Sequence, residues 1–123
     1  MRAGEIYLAR FPFGDVPGMK LRPVLLLTGR LGPVPEVLVA YISSVLPAQP
    51  LASDLIADPS APAFQATHLK VPSAVRLHKL ATIHGSSLSR HLGRLESPQQ
   101  AIVAGKLRAL LGLTTEPDAP SGS

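Results

Sequence analysis

The sequence predicts a mainly β (α+β) fold: a small, strongly bent or partly open barrel with one helix at its C-terminal end. Three observations lead to this prediction. Several short segments have the β-branched and aromatic composition of strands, with glycine and proline turns between them. One later segment has apolar residues at helical spacing between a helix-starting and a helix-ending signal. The chain has 123 residues, which is enough for one domain and too few for two separate cores.

Three strands are predicted in the first part of the chain. Residues 5–11 contain Ile-Tyr-Leu and favour a half-buried strand. A loop rich in glycine and proline follows at residues 12–20. Residues 23–28 are apolar enough to form a central strand, and residues 37–42 form the third strand, which ends at two serines.

Prolines interrupt the middle of the chain. Residues 53–57 are flanked by prolines, which predicts a short strand at the edge of the sheet, where proline is tolerated. Residues 59–69 are predicted to be irregular, with one helical turn. We expect no second domain and no internal repeat in this region.

A further strand is predicted at residues 73–79. Successive side chains of a strand point to opposite faces of the sheet. Val75 and Leu77 therefore share one face. Arg76 and His78 share the other face, so this strand presents an apolar side and a cationic side.

Two short segments follow this strand. Residues 80–83 are predicted to continue it past a bulge. Residues 86–92 favour one or two helical turns that end at Gly93. Both segments lead towards the C-terminal helix.

The C-terminal helix has the clearest sequence signals. Ser97 is the predicted N-cap, Pro98 suits the first helical position, and Gly112 suits the position just past the end. Its apolar residues are predicted to share one face: Val103, Leu107, Leu110 and Leu111. Residues 114–123 are polar and contain proline, which predicts a disordered tail after a single domain at residues 1–113.

Composition and charge narrow the class of protein. The chain has no cysteine, which excludes disulfides and thiolate metal sites. It has no long uncharged apolar run and no signal-peptide pattern, so we expect a cytoplasmic protein with no membrane segment. Two of the acidic residues lie in the predicted tail, so the folded part has 12 basic against 6 acidic residues, a net charge of +6. That charge favours an anionic partner, nucleic acid first, with a generally basic soluble protein as the alternative.

Five polar residues near strand ends and on one strand face form the candidate site: Arg22, Ser43, Ser44, Arg76 and His78. In a small bent sheet these positions can converge on one open face. Two guanidiniums can hold a phosphate and stabilise negative charge as it develops. Hydroxyls can position phosphate oxygens, and a histidine can move a proton near neutral pH. This set is sufficient for attack of an RNA 2′-hydroxyl on its own neighbouring phosphorus without a metal. Each residue also has an ordinary explanation as a solvated or strand-ending side chain.

Other kinds of site find less support in the sequence. The histidines lack the short spacing of a zinc site, so no metal site is predicted: they are His68, His78, His84 and His91. Gly85-Ser86-Ser87 lacks the glycine that a nucleophile elbow needs. There is no Walker A loop, no GxGxxG motif and no carboxylate pair spaced for glycoside chemistry.

Four sequence blocks together resemble one known family. They are GEIYLARFPF, LRPVLLLT, VLVAYISS and VRLHKLATI, and the similarity covers residues 2–113. The chain resembles the MazF/PemK toxins of bacterial type II toxin–antitoxin systems. The Gly-Glu-Ile opening and the Arg-Pro-Val-Leu block are the most specific elements.

The resemblance implies a fold, an activity and partners. The implied fold is an SH3-like barrel with a C-terminal helix, assembled as a homodimer. The implied activity is that of a ribosome-independent, sequence-specific endoribonuclease that cleaves single-stranded RNA without a metal or other cofactor. The implied protein partner is a cognate antitoxin whose flexible tail covers the RNA groove.

The resemblance also implies roles for individual residues. Arg22 matches the family's catalytic arginine, and Ser43 stands where many members have a catalytic threonine. Arg76 matches a second catalytic arginine of the PemK-like branch. His78 stands where that branch can have an aspartate proposed as the general base, and a neutral imidazole can also accept the 2′-hydroxyl proton.

Substrate contacts are predicted at four further residues. In place of the histidine or acidic–polar run that some relatives have in the first loop, this chain has Asp15 and Lys20. We predict that both contact the substrate, together with Ser44, which is the hydroxyl next to Ser43, and Lys79.

Two other functions are compatible with the same fold. One is a non-catalytic nucleic-acid-binding protein or a gyrase-inhibiting toxin of the CcdB type, because a shared fold does not imply a shared activity. The other is a degenerate family member that only binds antitoxin, which the histidine at position 78 keeps open. The presence of two candidate phosphate-binding arginines, Arg22 and Arg76, favours the nuclease.

Overall fold

The computed structural model describes residues 1–10 and 20–113. Within these residues the chain forms six strands, two short 3-10 helices at Pro62–Thr67 and Gly85–Ser87, and one α-helix. The strands and the α-helix are β1 (Glu5–Arg10), β2 (Leu21–Leu26), β3 (Glu36–Ser43), β4 (Asp54–Ala57), β5 (Ser73–His84), β6 (Leu88–Arg94) and α1 (Ser97–Leu110). The predicted Asp15 contact and the predicted tail lie outside the described residues.

The strands form one sheet in the order β4-β5-β3-β2-β1-β6, and all neighbouring strands are antiparallel. The described part of the sheet does not close, because β4 lies at one edge and β6 at the other. This arrangement confirms the predicted mainly β, partly open fold with a C-terminal helix. It also confirms the short edge strand predicted at residues 53–57.

The two faces of the sheet pack into two apolar clusters. The larger cluster contains Leu25, Ile42 and Val75 on the face where α1 packs through Val103. The second cluster lies on the other face and consists of Ala9, Val24, Leu26, Val37, Val39 and Ile83. The sheet is therefore apolar on both sides along much of its length, which restricts polar side chains to its rims and to one end.

Strand β5 contains the bulge that the sequence predicted. Ala40 of β3 pairs with Leu80, but the next residue, Tyr41, pairs with Arg76, so residues 77–79 have no partner on β3. Extra residues bend a strand and redirect the side chains beside them. The bulge keeps Leu77 fully buried in the core and brings His78 and Lys79 to the opposite face.

The helical turns predicted at residues 86–92 are wrong. Gly85–Ser87 is a single 3-10 turn, and Leu88–Arg94 is strand β6, which pairs with β1. Leu88 and Leu92 have a spacing that also suits a helix, so pairing with β1 decides between the two structures. Gly93 confirms the close packing here, because a Cβ at this position would collide with the Ala66 and Thr67 carbonyls of the first 3-10 helix.

The boundaries of α1 differ slightly from the prediction. Ser97 is the first helical residue, and the N-cap is Glu96, without a side-chain hydrogen bond. Gly112 has φ +71°, a left-handed conformation that suits the position past a helix end, as predicted. Leu110 and Leu111 do not join Val103 in the core as predicted: they are 39% and 58% exposed, whereas Val103 is 5% exposed.

Within the described residues, no helix is both long and apolar enough to cross a membrane.

Candidate active site

One row of paired residues crosses every strand of the sheet. Residues that face each other across an antiparallel pair project from the same side of the sheet. The pairing of each strand with the next gives a continuous row from β6 to β4: His91, Tyr7, Val24, Tyr41, Arg76 and Asp54. Five of these six residues have a polar or charged group, and two of the five are tyrosines. The row is therefore a polar, partly aromatic line of side chains over an apolar layer.

An ion pair forms the β4 end of this row. Arg76 Nε donates to Asp54 Oδ1 at 2.8 Å. The Asp54 side chain is fully buried, whereas that of Arg76 is 17% exposed. The carboxylate therefore lies beneath the guanidinium and leaves the outer part of Arg76 at the surface.

The bulge brings two more predicted residues to this ion pair. His78 Nδ1 lies 3.9 Å from Asp54 Oδ1, which is an ion-pair distance when the imidazole is protonated and too long for a hydrogen bond. Lys79 Nζ lies 5.7 Å from the centre of the Tyr41 ring, within cation–π range. Arg76, His78 and Lys79 are thus gathered around one buried carboxylate and one tyrosine.

Arg22 and Ser43 lie one level further along the same face. Arg22 is inside β2, not before it as predicted, and it pairs with Ala9 of β1. Continuing the β2–β3 register from Val24 and Tyr41 by two residues places Arg22 level with Ser43. Because β3 alone separates β2 from β5, the two arginines are on strands about 10 Å apart on one side of the sheet.

The Ser43 hydroxyl is already engaged in a local turn. Ser43 Oγ donates to the Val45 carbonyl at 3.0 Å and accepts from the Val45 N–H at 3.1 Å. An oxygen in this position keeps one further lone pair for a ligand donor. The hydroxyl is therefore held in a fixed place at the end of β3.

Ser44 lies at a cavity of about 290 Å³ that is lined mainly from the opposite face of the sheet to the row. Its strand residues Leu8, Pro23 and Ile42 are chain neighbours of row residues, and successive side chains of a strand point to opposite faces. Tyr41 of the row and Arg22 also line this cavity. Among the residues that the structure describes, the remaining lining is partly apolar and partly cationic and includes no aspartate or glutamate: Leu8, Pro23, Ile42, His68, Leu69, Lys70, Val71, Ser73, Arg90 and Leu92. His68 has φ 54°, and its Nδ1 donates to the Leu92 carbonyl at 2.8 Å, which holds the ring at the cavity. Such a lining suits an anionic ligand that also has an apolar body.

Lys20, another of the four predicted substrate contacts, is exposed immediately before β2. It follows the segment at residues 11–19, which lies outside the described part of the chain. The structure therefore places it at the same end of β2 as Arg22.

The β6 end of the row contains a second polar cluster. His91 Nε2 lies 3.3 Å from Glu5 Oε2, and the His91 and Tyr7 rings meet edge to face with centroids 5.1 Å apart. Burial raises the pKa of Tyr7, and the charge of Glu5 raises it further. Burial acts to raise the pKa of Glu5 as well, but the Arg2 backbone N–H, the N-terminal ammonium and His91 together lower it.

No group of three or more metal-binding side chains occurs in the part of the chain that the structure describes. His78 and Asp54 approach one another but lack a third ligand of this kind. Instead, arginine and histidine side chains lie beside two carboxylates, those of Asp54 and Glu5.

Sequence reasoning missed Asp54, Tyr41 and the cavity cations Lys70 and Arg90. A signal for Asp54 was present: it is one of only 6 acidic residues before the predicted tail, and it opens an apolar edge strand. Its pairing with Arg76 depends on the order of strands β4 and β5, which alternation along a strand does not reveal. Lys70 and Arg90 line the same cavity, and the sequence analysis missed this because it predicted helical turns where Arg90 lies in strand β6.

Comparison with known proteins identifies the family. No curated protein matches the chain. Among solved structures, the Mycobacterium tuberculosis toxin MazF-mt6 is similar with 26% identity, a TM-score of 0.70, and coverage of 89% of this chain and 98% of that one. MazF (Form-I) from Deinococcus radiodurans is 19% identical, with a TM-score of 0.60 and coverage of 91% and 96%.

A third similar structure is an endoribonuclease in complex with its cognate antitoxin from a mycobacterial species. It is 14% identical, with a TM-score of 0.64 and coverage of 93% of this chain and 97% of that one, so it shows likeness of fold. The sequence profile of the PemK-like, MazF-like toxins of type II toxin–antitoxin systems matches residues 2–111. That match spans nearly all of the described fold, and the chain therefore belongs to this toxin family.

Proposed function

We propose that this protein is a sequence-specific endoribonuclease that cleaves single-stranded RNA without a metal, an mRNA interferase. The observation that carries the proposal is the guanidinium of Arg76, which is fixed by Asp54 and flanked by His78 on the face that also holds Arg22. Membership of the toxin family supports it. Cationic side chains beside the two tyrosines of the row suit an RNA strand, because cations bind the phosphate backbone and aromatic rings stack on unpaired bases.

The proposed reaction is an internal transesterification. The 2′-oxygen attacks the adjacent phosphorus while His78 accepts the 2′-hydroxyl proton. The bond from phosphorus to the 5′-oxygen breaks, and the departing oxygen takes a proton from water. The products are a 2′,3′-cyclic phosphate and a 5′-hydroxyl. Arg22 and Arg76 bind the phosphate and stabilise the negative charge that grows on its oxygens.

The remaining predicted residues hold the substrate in this scheme. Ser43 positions the phosphate through the hydroxyl that the Val45 turn keeps in place. Ser44 contacts the nucleotide that occupies the cavity. Lys20, Lys79 and Asp15 contact the RNA on either side, and the cavity cations Lys70 and Arg90 attract its phosphates.

The proposal includes two protein partners and a compartment. The protein acts in the cytoplasm as a homodimer, and a cognate antitoxin neutralises it. Family membership supports the antitoxin, and the fold is shared with an endoribonuclease solved in complex with its own antitoxin. The small core, built mainly from Val, Leu, Ile and Ala, supports a dimer because association buries additional apolar surface.

Purified protein and synthetic RNA test the proposal. Cleavage in the presence of a chelator, with cyclic phosphate ends, is the expected result. Arg22→Ala is expected to abolish it without loss of the fold, and a 2′-deoxyribose at the cut position is expected to block it because the internal nucleophile is gone. A requirement for added metal would contradict the mechanism. Intact RNA together with tight binding to a topoisomerase subunit would instead support a gyrase inhibitor.

A further inference from the structure

Asp54 has a buried carboxylate in which both oxygens are occupied. Oδ1 accepts from Arg76 Nε, and Oδ2 accepts from the Leu51 backbone N–H, both at 2.8 Å. The side chain is completely buried, and it comes from the four-residue edge strand β4. A buried charge is tolerated when it is paired and hydrogen-bonded, which is the case here.

We infer that Asp54 is a positioning residue for RNA cleavage that acts by orienting the Arg76 guanidinium. This inference rests on the proposed function. The Nε–H of an arginine lies on one side of the planar guanidinium, so a bond at Nε fixes the plane and directs the terminal amino groups elsewhere. The Asp54 side chain is buried and that of Arg76 is 17% exposed, so those amino groups are directed towards the open face of the row.

The same oxygen also faces His78. Nδ1 of His78 lies 3.9 Å from Asp54 Oδ1. When His78 accepts the 2′-hydroxyl proton it becomes cationic, and a carboxylate at this distance stabilises that charge. One buried oxygen thus serves the residue that binds the phosphate and the residue that takes the proton.

A structural role for Asp54 predicts a different outcome from a positioning role. Through Leu51 the carboxylate closes a turn, because Asp54 N–H also donates to the Leu51 carbonyl at 2.9 Å. Loss of that turn would affect the fold, whatever residue stands at position 76. Loss of orientation would affect the reaction only while a guanidinium is present to be oriented.

The experiment is a double-mutant cycle with Asp54→Asn and Arg76→Gln. The Nε2 of a glutamine at position 76 occupies a place along the side chain like that of arginine Nε, so it can still donate to Asp54, but the guanidinium is gone. Single-turnover cleavage of a synthetic single-stranded RNA, with the protein in excess, gives the rate and the apparent affinity of each variant. Circular dichroism and thermal melting report the fold. Asp58→Asn is the matched control, because Asp58 closes a turn with Ser60 and does not contact Arg76.

Asp54→Asn is expected to lower the cleavage rate about 10- to 100-fold with little change in apparent affinity, because displacement of a catalytic group by about 1 Å has effects of this size. Arg76→Gln is expected to lower the rate about 100- to 1,000-fold. The double variant should lose less than the product of the two single losses, because only the part of the Asp54 contribution that acts through His78 remains when the guanidinium is gone. Asp58→Asn should match the wild type. If Asp54→Asn melts below the assay temperature, Asp54→Ser replaces it, since a serine hydroxyl can still accept from the Leu51 N–H.

Two results would overturn the inference. One is a folded Asp54→Asn variant that cleaves at the wild-type rate. The other is a double variant whose loss is the product of the two single losses. Either result leaves the proposed nuclease intact, because the wild type still cleaves. A wild-type protein that leaves RNA uncut would overturn the proposed function and this inference together.

Discussion

At the scale of single residues, the site depends on how charges are buried. Arg76 and His78 have ordinary solvent-facing explanations when only the alternation of β5 is considered. The buried partner of Arg76 changes that interpretation, since the Asp54 side chain has no solvent of its own to stabilise it. The same guanidinium therefore has a structural contact below it and an open surface above it.

Removal of Arg76 is predicted to destabilise the fold by an amount that depends on what replaces it. Arg76→Ala leaves the buried Asp54 with only the Leu51 N–H, so we expect the free energy of unfolding to fall by about 3 kcal/mol. Arg76→Gln keeps a donor near Asp54 Oδ1 and should lose less than half as much. Urea denaturation at neutral pH measures both, and equal losses would contradict the buried-partner explanation.

Glu5 is predicted to stabilise the protein in a pH-dependent way. Its pKa is lowered in the folded protein from 4.5, so its contribution is fully present above that value and disappears as the pH falls through the folded-state pKa below it. Glu5→Gln should therefore be less stable than the wild type at pH 6, by about 0.5 kcal/mol. At pH 3 the difference should shrink towards zero. Urea denaturation at the two pH values tests this, and a constant difference would count against it.

At the scale of elements, strand β6 shows what local sequence cannot decide. The Leu88 and Leu92 spacing suits a helical turn as well as a strand, and the choice comes from β1, which offers an unpaired edge to β6. By contrast, β1, β2 and β3 follow from strand-favouring apolar runs between turn residues, so they were predictable within about two residues. The bulge in β5 was also predicted. Alternation also separates Val75 and Leu77 from Arg76 and His78 correctly.

Two glycines are predicted to respond in opposite ways to alanine. At Gly93 an added Cβ meets the Ala66 and Thr67 carbonyls, so Gly93→Ala should lower the free energy of unfolding by about 3 kcal/mol or prevent folding. At Gly105, in the exposed middle of α1, nothing lies within 4 Å, so Gly105→Ala should add about 1 kcal/mol. Thermal melting of both variants measures the difference. A Gly93→Ala protein as stable as the wild type would show that β6 does not pack against the 3-10 helix as described.

At the scale of the whole molecule, the position of the site follows from strand order. The sequence predicted Arg22 just before one strand, Ser43 near the end of a second and Arg76 on a third. Their positions on one face depend on β3 lying between β2 and β5. That order is a property of the sheet, so no single segment could have predicted it. Lys70 and Arg90 reach the cavity by the same route, one from the loop before β5 and the other from β6.

The cavity cations are predicted to contribute to RNA affinity through charge. For single strands, the slope of log K against log salt changes by about 0.7 for each phosphate contact. Lys70→Gln and Arg90→Gln should each reduce that slope by about this amount and weaken binding at low salt. Arg108→Gln, in the last turn of α1, is the matched control and should leave the slope unchanged. Fluorescence anisotropy with an RNA that a 2′-deoxyribose protects from cleavage measures the slopes. If Lys70→Gln and Arg90→Gln have the same slope as Arg108→Gln and the wild type, the cavity does not bind RNA.

The row that runs from His91 to Asp54 disfavours wrong strand registers. Sliding β5 by one position would drive the Arg76 guanidinium into the layer occupied by Leu77 and expose an apolar side chain in its place. Misaligned sheets are thus penalised by the very residues that would handle the phosphate. Correct strand pairing and the placement of the proposed phosphate-binding residues are therefore one and the same requirement.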